Sequence, residues 1–245
     1  MACEACNTIP PVTVENYAPK GSWITLAGLK TYATGPEDAK HALIAIYDIF
    51  GNAPQTIQGA DLLSKALNAL VIVPDFLNGR YAQAEWYAGK GDEKEKAEFM
   101  AYAFDFKNWT GVTEEVVKAG KSKWVGVMNW GAYGLCWGGK VVALASAAGT
   151  PFTASGQVHP GRLATEDAKA ITIPHIVLAS KGEDAVIVKE YADVLVGEGK
   201  PNVVETYPTM PHGWLGARAA LGEAEGLKEY ERGYNQLASF FSKYL

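Results

Sequence analysis

Cysteine is scarce in this chain of 245 residues: there are three, Cys3, Cys6 and Cys136. Three thiols build no disulfide framework, so each is either incidental or chemical. Long apolar runs are missing too, and none approaches the roughly 18 residues that a membrane-spanning helix needs. Basic charge is short as well. Against 27 Asp and Glu stand 22 Lys and Arg, a formal charge of −5, which argues against nucleic acid or an anionic membrane as a partner. The N-terminus, MACEACNTIPPV, has neither the basic start nor the apolar centre of a secretory signal. A soluble protein of the reducing cytoplasm is the expectation. No repeat, low-complexity tract or linker divides the sequence. Residues 1–245 therefore read as one domain, with residues 1–20, rich in turn formers, as a leader on its surface.

Hydrophobic residues make up 48% of the chain, enough for a sizeable core. Residues 23–33 hold two short apolar stretches broken by Gly28, the pattern of a hairpin at a sheet edge. Residues 42–48 (ALIAIYD) and 70–74 (LVIVP) are continuous apolar runs, as buried parallel strands are, with helical spacing over 58–69 between them. Further strands are expected at 152–158, 174–180 and 202–207, with a helix over 188–197 and an amphipathic one closing the chain over 225–244. Alternation of this kind predicts an α/β fold, a mostly parallel central sheet with helices on both faces. The charged run 92–98 reads as a solvated helix face. The aromatic residues around it (Trp86, Tyr87, Phe99, Tyr102, Phe104, Phe106 and Trp109) read as core or as the wall of a substrate pocket.

The chain is organised around residues 125–140, VGVMNWGAYGLCWGGK. An apolar run ends in a glycine-rich turn, and the small-residue helical segment KVVALASAAG comes at once after it. That is the pattern of a nucleophile elbow, with Cys136 where G-x-S-x-G has serine. The turn forces the nucleophile into strained backbone angles, and Gly134 and Gly138 let strand and helix approach without collision. The cysteine then lies at a helix N-terminus, where the dipole favours negative charge. Cys3 and Cys6 form a lone C-x-x-C. With no second pair for zinc and no preceding strand for a redox motif, they read as incidental thiols.

Functional groups of open parallel sheets gather beyond the carboxyl ends of the strands, which here deliver Asp48, Asp75, Cys136, His159, Asp184 and His212 to one rim. Nucleophile, acid, histidine is the chain order of α/β-hydrolases. Among the four histidines, His41 and His175 lie near the starts of their strands, and His159 precedes the candidate acid. His212, after the last strand in a turn of Pro208, Pro211 and Gly213, is the choice. Asp184 is favoured as the acid over its neighbour Glu183 and over Asp167, because it comes after its strand within a short glycine-containing turn; capping the next helix is its other open role. Cys136 would then attack a carbonyl, His212 would shuttle the proton, and Asp184 would orient the imidazole. The motif places oxyanion-hole N–H groups at Trp137 and Ile49.

These residues resemble the dienelactone hydrolase family, more closely its fungal members. The matching blocks are YDIFG (47–51), VPDF (73–76), GLCWGGK (134–140), VHPG (158–161), GEDAV (182–186) and PHGW (211–214). They run in family order and span most of the chain from about residue 20 on. The resemblance implies an α/β-hydrolase fold, a Cys136–His212–Asp184 triad, no cofactor and no metal. It implies that Asp48, where bacterial members carry glutamate, takes part in activating the thiol, and it assigns the oxyanion hole to Ile49 and Trp137 again. The family substrate, dienelactone, is a small lactone bearing a carboxylate, which two arginines would hold. Arg218 is the plausible match and Arg80 the weaker one, and a surface role is open to both. The expected activity is hydrolysis of a small ester or lactone, of the carboxymethylenebutenolidase type, by a monomer or homodimer. A broader carboxylesterase or thioesterase, a hydrolase of a secondary metabolite, and a non-catalytic binding or redox-sensing protein are the competing readings.

Overall fold

Ala27 and Gly28 both take positive φ, 49° and 77°, the backbone that a two-residue hairpin turn requires. They join β1 (Ser22–Leu26) to β2 (Leu29–Thr34), an antiparallel pair with Leu26 opposite Leu29. The structure, a computed structural model, describes residues 10–12, 17–197, 199 and 201–245. Cys3 and Cys6 lie outside the described residues, as does most of the expected leader. β2 runs antiparallel to β4 (Leu70–Pro74), and from there every pairing is parallel: β4 with β3 (His41–Ile46), then β5 (Asn129–Leu135), β6 (Ala154–Val158), β7 (His175–Ser180) and β8 (Val203–Tyr207). The order in the sheet is β1-β2-β4-β3-β5-β6-β7-β8, the α/β-hydrolase fold.

The central strands are buried on both faces, as their unbroken apolar runs require. Helix α1 (Pro54–Leu67) comes after β3 and packs against the final helix. A 3₁₀ turn (Ala84–Ala88), α2 (Glu93–Ala103) and α3 (Phe106–Lys123) fill the long excursion between β4 and β5. Next come α4 (Trp137–Ala145) after β5, α5 (Thr165–Ala170) after β6, α6 (Ala185–Leu195) after β7 and α7 (Ala224–Tyr244) after β8. Glycine gaps show which helix lies on which face. A Cβ on Gly134 would strike Gly138 of α4, whereas one on Gly156 would meet Phe241 of α7 on the other side. No helix among the described residues is long and apolar enough to cross a membrane.

Three expectations change. The apolar run at 125–128 is not strand: Val125 and Met128 are exposed, and β5 begins at Asn129. Helices α3 and α5 have no counterpart in the expected elements. In α7, Tyr230, Tyr234, Leu237 and Phe241 are buried but Leu227, in the first turn, is exposed. The charged run is the solvated helix it reads as, with Asp92 capping α2 through the backbone N–H groups of Lys94 and Glu95. Of the aromatic residues nearby, Trp86, Phe99 and Trp109 belong to the core, and the rest are half-buried against it.

Candidate active site

Parallel register sets the rim. Ile46 pairs with Gly134, Leu135 with Val158, Val158 with Leu178, and Ser180 with Tyr207, so these strands end at one level. The turns leaving their carboxyl ends converge. Cys136 comes one residue after β5, fully buried, at φ 51° and ψ −109° as N-cap of α4. This backbone is costly for a residue with a Cβ. Three hydrogen bonds hold it: Cys136 N–H donates to the Val158 carbonyl at 3.0 Å, and the Cys136 carbonyl accepts from Gly139 at 3.1 Å and Gly161 at 2.9 Å. The glycines are obligatory. A Cβ on Gly134 would come 2.1 Å from backbone atoms of Gly138, and one on Gly138 would come 2.2 Å from the Ile46 carbonyl oxygen.

His212 lies beyond β8 in a loop pinned by Trp214. The indole packs 4.2 Å from the ring of Tyr207 and fills the space that Gly233 leaves on α7. The His212 side chain is fully buried, and its Nδ1 donates to Glu183 Oε1 at 2.6 Å. That carboxylate is held from behind by the Ser180 hydroxyl at 3.0 Å and by the Ser180 backbone N–H. With Nδ1 so committed, Nε2 is the ring atom that can exchange a proton with a nucleophile.

The acid beside His212 is therefore Glu183 and not Asp184. Asp184 is exposed and turned the other way, accepting from the backbone N–H groups of Val186 and Ile187 as N-cap of α6. The reason is local. One of two adjacent acids must start the helix, and the shorter aspartate is the better N-cap. The longer glutamate then reaches back across the turn. The preference of aspartate for helix starts is the signal that separates the two. Asp167 is elsewhere, paired with Lys140 at 2.5 Å.

Asp48 is fully buried with both oxygens on backbone donors: Oδ1 accepts from Phe50 and Oδ2 from Ala217, each at 2.9 Å. It ties the loop after β3 to the loop after His212. Burial pushes its carboxyl up, against the opposing pull of the Arg218 guanidinium and the two N–H groups. Ile49 and Trp137 are both buried. The Trp137 indole anchors the elbow, donating to the Ala103 carbonyl at 2.6 Å between Tyr47, Phe76 and Trp109. Asp75 accepts from the Tyr47 hydroxyl at 2.6 Å, so it braces the wall.

His159 does reach this rim. Its ring stands edge-to-face on that of His212, with centroids 5.2 Å apart, fully buried and at φ 37°. Burial holds its pKa well below the ordinary histidine range, with the charges of His212 and Arg218 adding to the effect, so the ring is neutral. His175 lies at the start of β7, hydrogen-bonded to Ser155 and Gln157, and His41 opens β3. Of the arginines, Arg218 is buried with its guanidinium carbon 4.7 Å from the Phe50 ring centre, whereas Arg80 is exposed and lies 4.2 Å from that of Tyr102. Among the described residues no group of three or more His, Cys, Asp or Glu side chains is gathered to hold a metal ion.

A buried thiol on a strained elbow and, on the same rim, an imidazole oriented by a carboxylate suit acyl transfer. The model of the dienelactone hydrolase family matches residues 29–245. An uncharacterized AIM2 family protein of Schizosaccharomyces pombe is 33% identical over 250 residues, covering 99% of each chain. Among solved structures, the dienelactone hydrolase of Anabaena variabilis superposes with a TM-score of 0.60 at 15% identity, covering 93% of this chain and 98% of its own. A dienelactone hydrolase-like promiscuous phosphotriesterase from metagenomic libraries gives 0.61 at 16% identity, covering 93% and 98%.

Proposed function

The chain belongs to the dienelactone hydrolase family, and from that premise we propose that it hydrolyses a small carboxylic ester or lactone through a thioester on Cys136. One observation carries the reading: Cys136 is held at φ 51° at the head of α4, on the same rim as an imidazole whose Nδ1 is fixed by Glu183. His212 Nε2 takes the Cys136 thiol proton as the sulfur attacks the carbonyl carbon, and the oxyanion is received by the backbone N–H groups of Ile49 and Trp137. As the tetrahedral intermediate collapses, the bond to the leaving oxygen breaks and His212 Nε2 delivers a proton to that oxygen. Water then attacks the thioester, gives its proton to His212, and the released sulfur recovers it. Glu183 keeps the imidazole in the tautomer that both steps need. Asp48 acts here by fixing the two loops that carry Ile49 and His212, with its charge facing Arg218.

A broader carboxylesterase or thioesterase is the second reading, favoured by the exposure of Arg80 and its stacking on Tyr102. The deciding experiment is turnover of cis- and trans-dienelactone and of simple aryl esters by the purified protein, with Cys136→Ala as control. Lactone turnover that vanishes in the variant supports the dienelactone-type activity. Aryl-ester turnover alone keeps the hydrolase and discards the lactone. Activity that survives Cys136→Ala, or no activity together with a thiol inert to iodoacetamide, overturns the proposal.

A further inference from the structure

His159 is a buried polar ring to which acyl transfer by Cys136 and His212 gives no role. It is fully buried, and neither Nδ1 nor Nε2 has a hydrogen-bond partner among the described residues. Unpaired polar atoms in such a place cost stability that a phenyl ring of similar size would not. The backbone adds to that cost. His159 holds φ 37° directly before Pro160, a position where the chain is normally extended. Strain of this kind persists where the surroundings enforce it and gathers at functional sites.

The surroundings here are the nucleophile and its base. On one side of His159 the Val158 carbonyl accepts from Cys136 N–H at 3.0 Å; on the other, Gly161 N–H donates to the Cys136 carbonyl at 2.9 Å. A Cβ on Gly161 would lie 3.3 Å from the Cys136 Sγ. The ring itself stands edge-to-face on that of His212, with centroids 5.2 Å apart. His159 is thus clamped to the elbow through its backbone neighbours and to the catalytic imidazole through its side chain. Burial keeps the ring neutral, so it carries one N–H donor and one lone pair. The other sealed histidine, His175, has both ring nitrogens occupied by Ser155 and Gln157.

Hydrolysis of the thioester is the step with a place for such a group. Water must give one proton to His212 Nε2 while it turns a lone pair to the carbonyl carbon, and in a sealed site its second O–H needs an acceptor. We propose that His159 is a second catalytic histidine, accepting that O–H, so that the two imidazoles hold both hydrogens of the attacking water. The water oxygen bonds to the carbonyl carbon, and one proton passes to His212. The C–S bond then breaks, the sulfur takes that proton back, and the acid leaves with the second hydrogen still on its oxygen. His159 exchanges no proton. The inference rests on the hydrolase reading above and confines the effect to its second half, since formation of the thioester uses no water.

The test is pre-steady-state turnover of para-nitrophenyl acetate by wild type, His159→Phe, His159→Asn and Cys136→Ala, with the acyl adduct on Cys136 followed by intact mass. His159→Phe keeps a ring against His212 but removes the acceptor. Its thioester should decay about 30-fold more slowly, the range for losing a hydrogen bond to a group that gains charge, while acylation stays within about 3-fold of wild type. Adduct should then accumulate, and hydroxylamine, which attacks thioesters without an ordered water, should restore most of the turnover. His159→Asn offers an amide oxygen and tolerates positive φ. It should slow decay by about 5-fold with acylation unchanged, and it decides the matter if the phenylalanine variant does not fold. Acylation and decay slowing together would reduce His159 to a support for His212, and decay at the wild-type rate would leave it no role; either overturns the proposal while the hydrolase stands. Turnover that survives Cys136→Ala fells the hydrolase reading itself.

Discussion

At the turn after β7, Glu183 and Asp184 are consecutive carboxylates whose side chains do different work. Glu183 is buried on His212 and Ser180, while Asp184 caps α6 in solvent. Glu183→Gln keeps the shape but offers His212 an amide, so kcat on an aryl ester should fall by roughly 10³- to 10⁴-fold with little change in fold. Asp184→Ala should instead cost about 1 kcal/mol of stability, read by urea denaturation, with turnover close to wild type. The reverse pattern would return the acid role to Asp184. Asp48 gives a second prediction at this scale. An amide in its place would turn a donor toward the N–H of Phe50 or Ala217 in a sealed site. Asp48→Asn should therefore destabilise by about 1–3 kcal/mol, seen as a lower denaturant midpoint. An unchanged midpoint would mean that the carboxylate is not what locks those loops.

The strand–elbow–helix unit depends on two contacts that only glycine permits. A methyl at Gly138 would overlap the Ile46 carbonyl, and one at Gly134 would overlap Gly138. Backbone cannot yield as a flexible side chain would, so Gly138→Ala should lose about 3 kcal/mol or more, or fail to fold. Gly111, inside α3, has open space where a methyl would stand, with no atom within 4 Å, and its φ is not positive. Gly111→Ala should stabilise by about 0.5–1 kcal/mol in the same denaturation assay, because alanine is the better helix former and its unfolded chain is less free. Equal effects at the two sites would undo the claim that close approach, rather than backbone freedom alone, sets the elbow.

Across the whole molecule, burial of polar groups makes stability depend on pH. His175 sits in a sealed network with Ser155, Gln157 and Tyr191, and burial lowers its pKa from 6.5 to about 3. Between those values the unfolded chain binds a proton that the folded one refuses. The contribution of the neutral ring is therefore complete above pH 6.5 and declines as pH falls toward 3. Buried Asp48 and Asp167, raised by desolvation, work in the opposite direction, so the comparison must be between variants. His175→Gln should be less stable than wild type at pH 7.5 by about 1–3 kcal/mol. That gap should close by up to about 1.4 kcal/mol per pH unit below 6.5, measured by denaturation at several pH values. A gap that stays constant would mean that His175 titrates normally.

The sheet, the elbow and the family are legible in the order of amino acids. Continuous apolar runs mark strands buried on both faces, the glycines around Cys136 announce a close backbone approach, and His212 is singled out by chain order; each is a signal of period, composition or local spacing. Helices α3 and α5 have no counterpart in that reading: α3 does bury Trp109, Thr113, Val116 and Val117 at helical spacing, within a stretch read for its aromatic residues, and α5 is only 6 residues long. Where side chains of equal chemistry point is settled in three dimensions. Packing assigns Glu183 to His212 and Asp184 to a helix end, stands His159 against His212, and lays Arg162 on Phe104 from a distant part of the chain. Two carboxylates side by side in sequence differ by a turn of the backbone. The helix-start preference of aspartate separates them locally, but the partner that receives Glu183 is His212, which only the folded sheet brings to the same rim.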